Sequence, residues 1–199
     1  MAPLIREHGR ERDIEMLKTC IVSASHMRCS SLLRKMCTIR RQPFDYFLVL
    51  DFEATCVERT KIQPVQLTGI IQDMIDNEPD LEQTLQTFDD WLRKEGVGSH
   101  NFCFVTYGDW DLNTMLPTQC AYFHISAPAY YNQWINIKQA VSEVTGVWPK
   151  GMMSALQVLN IRHEGRHHSG IDDCKNLARM LQLLALEGAV FTPTSDSLR

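Results

Sequence analysis

The sharpest feature in the apolar pattern of this chain is the unbroken run Tyr46-Phe-Leu-Val-Leu50, closed at each end by an aspartate. A short run without polar alternation predicts a strand covered on both faces. Phe102–Thr106 reads as a second strand. Between them Leu81, Leu85, Phe88 and Leu92 recur at helical spacing. Asp80 is placed to cap that helix and Gly96 to stop it. Leu67–Ile75 reads as a short helix ahead of the break Asn77-Glu-Pro-Asp80. Further helices are expected from Asp111 to about Phe123 with an interruption at Pro117, over Trp134–Val144, over Met152–Leu159 and over Gly170–Leu186. A short strand, Ala189–Thr192, is expected to close a sheet edge. Helices between the first two strands imply that those strands pair in parallel, so the pattern is that of an α/β domain.

Composition narrows this to one unit. A chain of 199 residues, 44% of them hydrophobic, buries a single core. We expect the domain to span residues 44–194, with a tail at 195–199 and a basic, flexible N-terminal segment at 1–43 outside the fold. From Met16 to Phe44 there are six basic residues (Lys18, Arg28, Arg34, Lys35, Arg40, Arg41), four serines and no acid. That composition is similar to an organellar presequence, but Glu7, Glu11, Asp13 and Glu15 precede it. A solvated, RNA-touching arm therefore ranks above mitochondrial targeting. Seven cysteines without a C-x-x-C pair or zinc-ligand spacing point to a reducing compartment, cytoplasmic or nuclear. No apolar stretch is long enough to span a bilayer.

Chemistry concentrates in three short clusters: Asp51-Phe52-Glu53, Asp109-Trp110-Asp111 and His168-Ser-Gly-Ile-Asp-Asp173. Asp51 and Glu53, two residues apart on a strand, lie on one side of it at the mouth of a core. Unpaired they repel each other and pay for desolvation, so a cation is expected, and carboxylate oxygens suit Mg²⁺ or Mn²⁺. Each cluster alone also has a plain reading, as a surface acid pair, a helix-start decoration or a solvated histidine. Their shared position at strand ends and helix starts is where α/β sites collect.

The motifs Phe47-Leu-Val-Leu-Asp-Phe-Glu-Ala-Thr-Cys56, Leu67-Thr-Gly-Ile-Ile-Gln72, Gly108-Asp-Trp-Asp-Leu112, Gln133-Trp-Ile-Asn136 and Arg166-His-His-Ser-Gly-Ile-Asp-Asp-Cys-Lys-Asn176 together resemble the DEDDh exonucleases of the DnaQ-like superfamily. Within these they are most similar to the third subgroup of Eri-like 3′-to-5′ exoribonucleases, over roughly Phe44 to Thr194. The resemblance implies a ribonuclease H-like three-layer fold, with Asp51, Glu53, Asp111 and Asp173 as metal-site carboxylates and His168 as general base. Asp109, Asp172 and His167 are then bystanders. It further implies two Mg²⁺ ions, with Mn²⁺ able to substitute, and hydrolysis of RNA 3′ ends, single-stranded or with a short overhang, to nucleoside 5′-monophosphates. No membrane partner is implied. A net charge of −4 is low for a nucleic-acid protein, but two divalent ions would cancel it. By the same resemblance Leu67 and Thr68 line the nucleotide pocket, with Phe52, Ala54 and Trp110 as further substrate contacts. Phe52, Tyr107, Trp110 and Trp134 can each stack a base or pack in the core.

One departure stands out. The resembled family carries two strands antiparallel to the first between Cys56 and Leu67, and here only ten residues, Val57 to Gln66, remain. Two strands and their turns do not fit that length. A shortened sheet with the first strand as an edge is therefore expected. That makes a catalytically impaired form, acting in RNA binding or protein interaction, the alternative to an active exoribonuclease.

Overall fold

The computed structural model describes residues 5–7, 17–23, 40–53 and 68–194. Strands β1 (Ile5–Glu7), β2 (Leu17–Ser23), β3 (Tyr46–Phe52), β4 (Phe102–Thr106) and β5 (Trp134–Asn136) form one sheet in that spatial order. β3, β4 and β5 are parallel, whereas β2 runs antiparallel to β3 and β1 antiparallel to β2. Helices α1 (Gln72–Ile75), α2 (Leu81–Lys94), α3 (Leu116–Phe123), α4 (Ile137–Thr145), α5 (Met152–Val158) and α6 (Gly170–Leu186) complete the described elements.

The β3 run is buried on both faces, as its lack of alternation demands. Phe47 and Val49 pack on one side with Cys174, Leu177 and Leu181 of α6 and Val141 of α4. Leu48, Leu50 and Phe52 pack on the other with Leu85, Phe88 and Leu92 of α2 and Leu116 of α3. The result is helix, sheet, helix, the three-layer architecture expected. α2 starts at a capping box: Asp80 Oδ1 accepts from Gln83 N–H at 2.9 Å and Gln83 Oε1 accepts from Asp80 N–H at 3.2 Å. It stops at Gly96, whose φ of +72° few other residues adopt.

The expected loss of cover on the far side of β3 does not occur. β2 pairs with β3 along seven register positions, from Leu17 opposite Phe52 to Ser23 opposite Tyr46, and buries Val22 beside Phe47. An antiparallel neighbour for β3 is thus supplied from upstream of Tyr46 by β2, with β1 beyond it. β3 is interior, the sheet has five strands, and Ile5–Glu7 and Leu17–Ser23 do not lie outside the fold. The ten-residue connection Val57–Gln66 falls outside the described residues.

Three smaller expectations also change. Trp134–Asn136 is a strand, and the helix begins only at Ile137, capped by Asn136 Oδ1 accepting from Lys138 N–H. Ala189–Thr192 is not a strand. The Gln42 side-chain amide takes the neighbour's place there, accepting from Phe191 N–H at 3.1 Å and donating to Ala189 O at 2.8 Å. In the stretch Leu67–Ile75 the helix of more than one residue is Gln72–Ile75. No helix of the described residues is long and apolar enough to cross a membrane.

Candidate active site

Asp51 is the penultimate residue of β3 and Glu53 follows its last residue, so both carboxylates leave the sheet on the α6 side while Phe52 turns into the opposite core. Asp111 reaches them through a local irregularity. Pro117, in the first turn of α3, has no N–H for an i−4 carbonyl, and the preceding turn Asp111–Met115 widens to π geometry, with Leu116 N–H donating to Asp111 O. Asp111, 7% exposed, then accepts from Phe52 N–H at 3.0 Å, which ties the second cluster to the backbone of the first.

The third cluster is strapped to the start of α6. Arg166 N–H donates to Asp172 Oδ2 at 2.9 Å, and His168 N–H donates to Asp173 Oδ2 at 2.9 Å. Fully buried Asn176 donates to Glu164 O and Asp172 O and accepts from Glu164 N–H. Gly165 makes this turn possible: at φ +76°, a Cβ there would lie 2.3 Å from Asp172 Cγ. His168 itself sits at φ +63°, a conformation uncommon for a residue with a side chain and often held in place at functional sites.

Ligand oxygens of Asp51, Glu53 and Asp173 lie within 4.8 Å of one another. Asp111 stands beside this trio. Glu53 Oε1 is buried without a hydrogen-bond partner. Burial pushes the Asp51 carboxyl well above its usual range, and Asp111, Glu53 and Asp173 repel its charge further. Burial, then Asp173, lifts Glu53 from 4.5 to about 7, against the pull of Arg166 and His167. Burial also raises Asp111. An all-oxygen donor set, self-repelling and with one acceptor unsatisfied, fits a hard divalent cation. His168 is held below the ordinary imidazole value by burial and by His167, which keeps it neutral and able to accept a proton.

The linkage sign follows from these shifts. Between 4.5 and about 7 the folded state holds a proton on Glu53 that the unfolded state has lost, so folding stability falls as pH rises through that window. The metal-free protein is therefore expected to melt at a lower temperature at pH 7 than at pH 5. Thermal scans in chelator at both values check this, and equal melting temperatures would count against the clustered carboxylates.

A cleft of about 110 Å³ opens beside the acids, lined by Glu53, Thr68, Gly69, Ile70, Arg166 and His168 among others. Thr68 and His168, both expected from the sequence, are among its lining residues. Arg166, whose guanidinium donates to Thr68 O and packs on Gly69, and Ile70 were missed, although both lie inside quoted motifs. Trp110 is 45% exposed and open to stacking. Phe52, 7% exposed, is core and offers a ligand only its backbone, a correction to its assignment as a substrate contact. Ala54 and Leu67 fall outside the described residues. The bystanders have structural work: Asp109 accepts from Trp134 Nε1–H and Asn136 Nδ2–H, both at 2.9 Å, and Asp172 anchors the Arg166 turn. His167 stacks on His168 with ring centres 3.9 Å apart.

The exonuclease family model RNase_T matches residues 57–181, which contain Asp111, His168 and Asp173. ERI1 exoribonuclease 3 of Homo sapiens is 42% identical over 77% of this chain and 58% of its own length, and that of Bos taurus 39% over 88% and 65%. The chain thus spans roughly three-fifths of these relatives. Among solved structures, the nuclease domain of 3'hExo, a DEDDh family member bound to rAMP, superposes with a TM-score of 0.68 over 94% of this chain and 90% of that one. At 22% identity that likeness establishes the ribonuclease H-like fold alone. Since the exonuclease model covers well over half of the sequence and its relatives are Eri-type enzymes, this chain belongs to the exonuclease family.

Proposed function

We propose that this chain is a divalent-metal-dependent 3′-to-5′ exoribonuclease that releases nucleoside 5′-monophosphates. The observation that carries the reading is the convergence of Asp51, Glu53 and Asp173, with an unsatisfied Glu53 oxygen, beside a cleft that Glu53 and His168 both line. Asp51, Glu53, Asp111 and Asp173 would hold Mg²⁺ or Mn²⁺, and the bound ions would supply charge for the scissile phosphate and for the departing 3′ oxygen. His168, kept neutral, takes a proton from the attacking water at an imidazole nitrogen. Asp173 fixes the base by accepting its backbone N–H. Thr68, Gly69 and Ile70 form the cleft wall against which the terminal nucleotide rests, and Arg166 sets that wall through Thr68 O. Trp110 offers an exposed ring for a base. The exoribonuclease names of the curated relatives support RNA as substrate.

The impaired-form alternative drew its force from an uncovered β3. With β2 paired along that strand, no observation favours it.

A 3′-labelled and a 5′-labelled RNA oligonucleotide, each incubated with Mg²⁺, with EDTA and with the Asp51→Asn variant, test the proposal. Mg²⁺-dependent shortening from the 3′ end, lost in the variant, is the expected result. RNA left intact by the parent in Mg²⁺ and in Mn²⁺ would overturn it. In the same assay His168→Ala is expected to lower kcat by about 10²- to 10⁴-fold with little change in KM, the usual worth of a positioned general base. His167→Ala should stay within a few-fold of the parent. Equal losses from the two substitutions would remove His168 from the role of base.

A further inference from the structure

We propose that His163, His167 and Asp173 form a second metal site, selective for Zn²⁺ or a similar transition ion, that shares Asp173 with the carboxylate cluster. The two histidines are four residues apart in the turn strapped to α6, and one ligand atom from each of the three side chains lies within 4.8 Å of the others. His163 Nε2 is buried and has no hydrogen-bond partner, an uncommon state for an imidazole nitrogen inside a protein. His167 Nδ1 is 3.3 Å from Asp173 Oδ1. Ligands about 2 Å from a tetrahedral Zn²⁺ stand roughly 3.3 Å apart, so this pair already has the required spacing. His163, whose ring centre is 6.0 Å from that of His167, needs only a small approach to complete three protein ligands.

Donor chemistry separates this site from the one beside it. Two imidazoles and one carboxylate suit Zn²⁺, Co²⁺ or Ni²⁺ and are poor ligands for Mg²⁺, whereas Asp51, Glu53 and Asp173 offer oxygen alone. Asp173 belongs to both trios, and one of its oxygens is already committed to His168 N–H. Occupancy by Zn²⁺ therefore draws the remaining oxygen away from the carboxylate cluster and fixes His167 against the His168 ring. The transition ion and the hard cation compete through one side chain. That such competition would restrain RNA cleavage rests on the proposed function; the binding itself does not.

Calorimetric titration of the full chain with Zn²⁺, and with Co²⁺ as a visible-absorption probe, tests the site without RNA, in the presence of excess Mg²⁺. The parent is expected to bind Zn²⁺ despite the Mg²⁺, and with Co²⁺ to develop d–d bands. His167→Ala should weaken this binding roughly tenfold or more, as should His163→Ala, while Asp51→Asn retains it. His167 is partly exposed, so its variant remains informative even if His163→Ala fails to fold. Zn²⁺ is also expected to reduce the rise in melting temperature that Mg²⁺ gives the parent, and not to do so in His167→Ala. Parent-like Zn²⁺ affinity in the His167→Ala variant would place the ion elsewhere and overturn the site. A Zn²⁺ effect that simply adds to that of Mg²⁺ would overturn the sharing of Asp173.

Discussion

Removal of residues 1–23 is expected to leave a chain that no longer unfolds in a cooperative transition. β2 contributes an antiparallel ladder over seven positions to the strand at the centre of the sheet, and Val22 is fully buried against Phe47. At about 1 kcal/mol net for each hydrogen bond, and about 1.5–3 kcal/mol for burying a valine, the loss is on the order of 5 kcal/mol or more. Domains of this kind have only about 5–15 kcal/mol in total. Phe47, Leu48, Val49 and Leu50, now inaccessible to solvent, would lie beside an exposed row of backbone donors and acceptors. Thermal unfolding followed by circular dichroism, with hydrogen exchange of the Phe47–Asp51 amides, measures the effect. A truncated protein with the parent's melting temperature and protection would show that β2 adds nothing.

Asp51→Asn should act in opposite directions with and without metal. In chelator the substitution removes the carboxylate whose charge is most strongly opposed by burial and by Asp111, Glu53 and Asp173, so the variant should melt at least as high as the parent. With Mg²⁺ or Mn²⁺ at one hundred times its dissociation constant, the parent gains about 2.7 kcal/mol by mass action. For a chain of this size that is roughly 5–10 °C in melting temperature. The variant is expected to lose most of that shift. A full metal response in Asp51→Asn would detach the ion from this cluster.

Much of this architecture is legible in the residues because single segments encode it. The β3 and β4 runs, the α2 face and the span of α6 each follow from local pattern, and Asp80 caps where its position implies. β2 was not legible. Leu17-Lys-Thr-Cys-Ile-Val-Ser23 lies in a stretch whose basic and serine-rich composition reads as solvated, and its partner is set by tertiary pairing more than by its own preference. Trp134–Asn136 was read as helix because three residues are too few for a two-residue period to show before the α4 stripe begins. The four carboxylates and His168 were named through the family resemblance, and the fold brings Asp51, Glu53 and Asp173 together. The burial of Phe52, the place of Arg166 behind Thr68 and the approach of His163 to Asp173 arise from folding distant or coiled segments together, which spacing along the chain does not reveal.

The source of β2 also changes the order in which the strand that carries Asp51 can mature during synthesis. β1, β2 and β3 form a consecutive meander, so the emerging chain holds the antiparallel neighbour of β3, itself paired with β1, before β3 leaves the ribosome. With strands placed after the first motif instead, β3 would wait for later residues to shield it. Here Asp51 can be seated against a formed hairpin while β4, which carries the parallel pairing, is still some fifty residues from being made. A nascent chain exposed through Phe52 would already hold β3 paired along its β2 side, leaving only the β4 side of that strand open to misassembly.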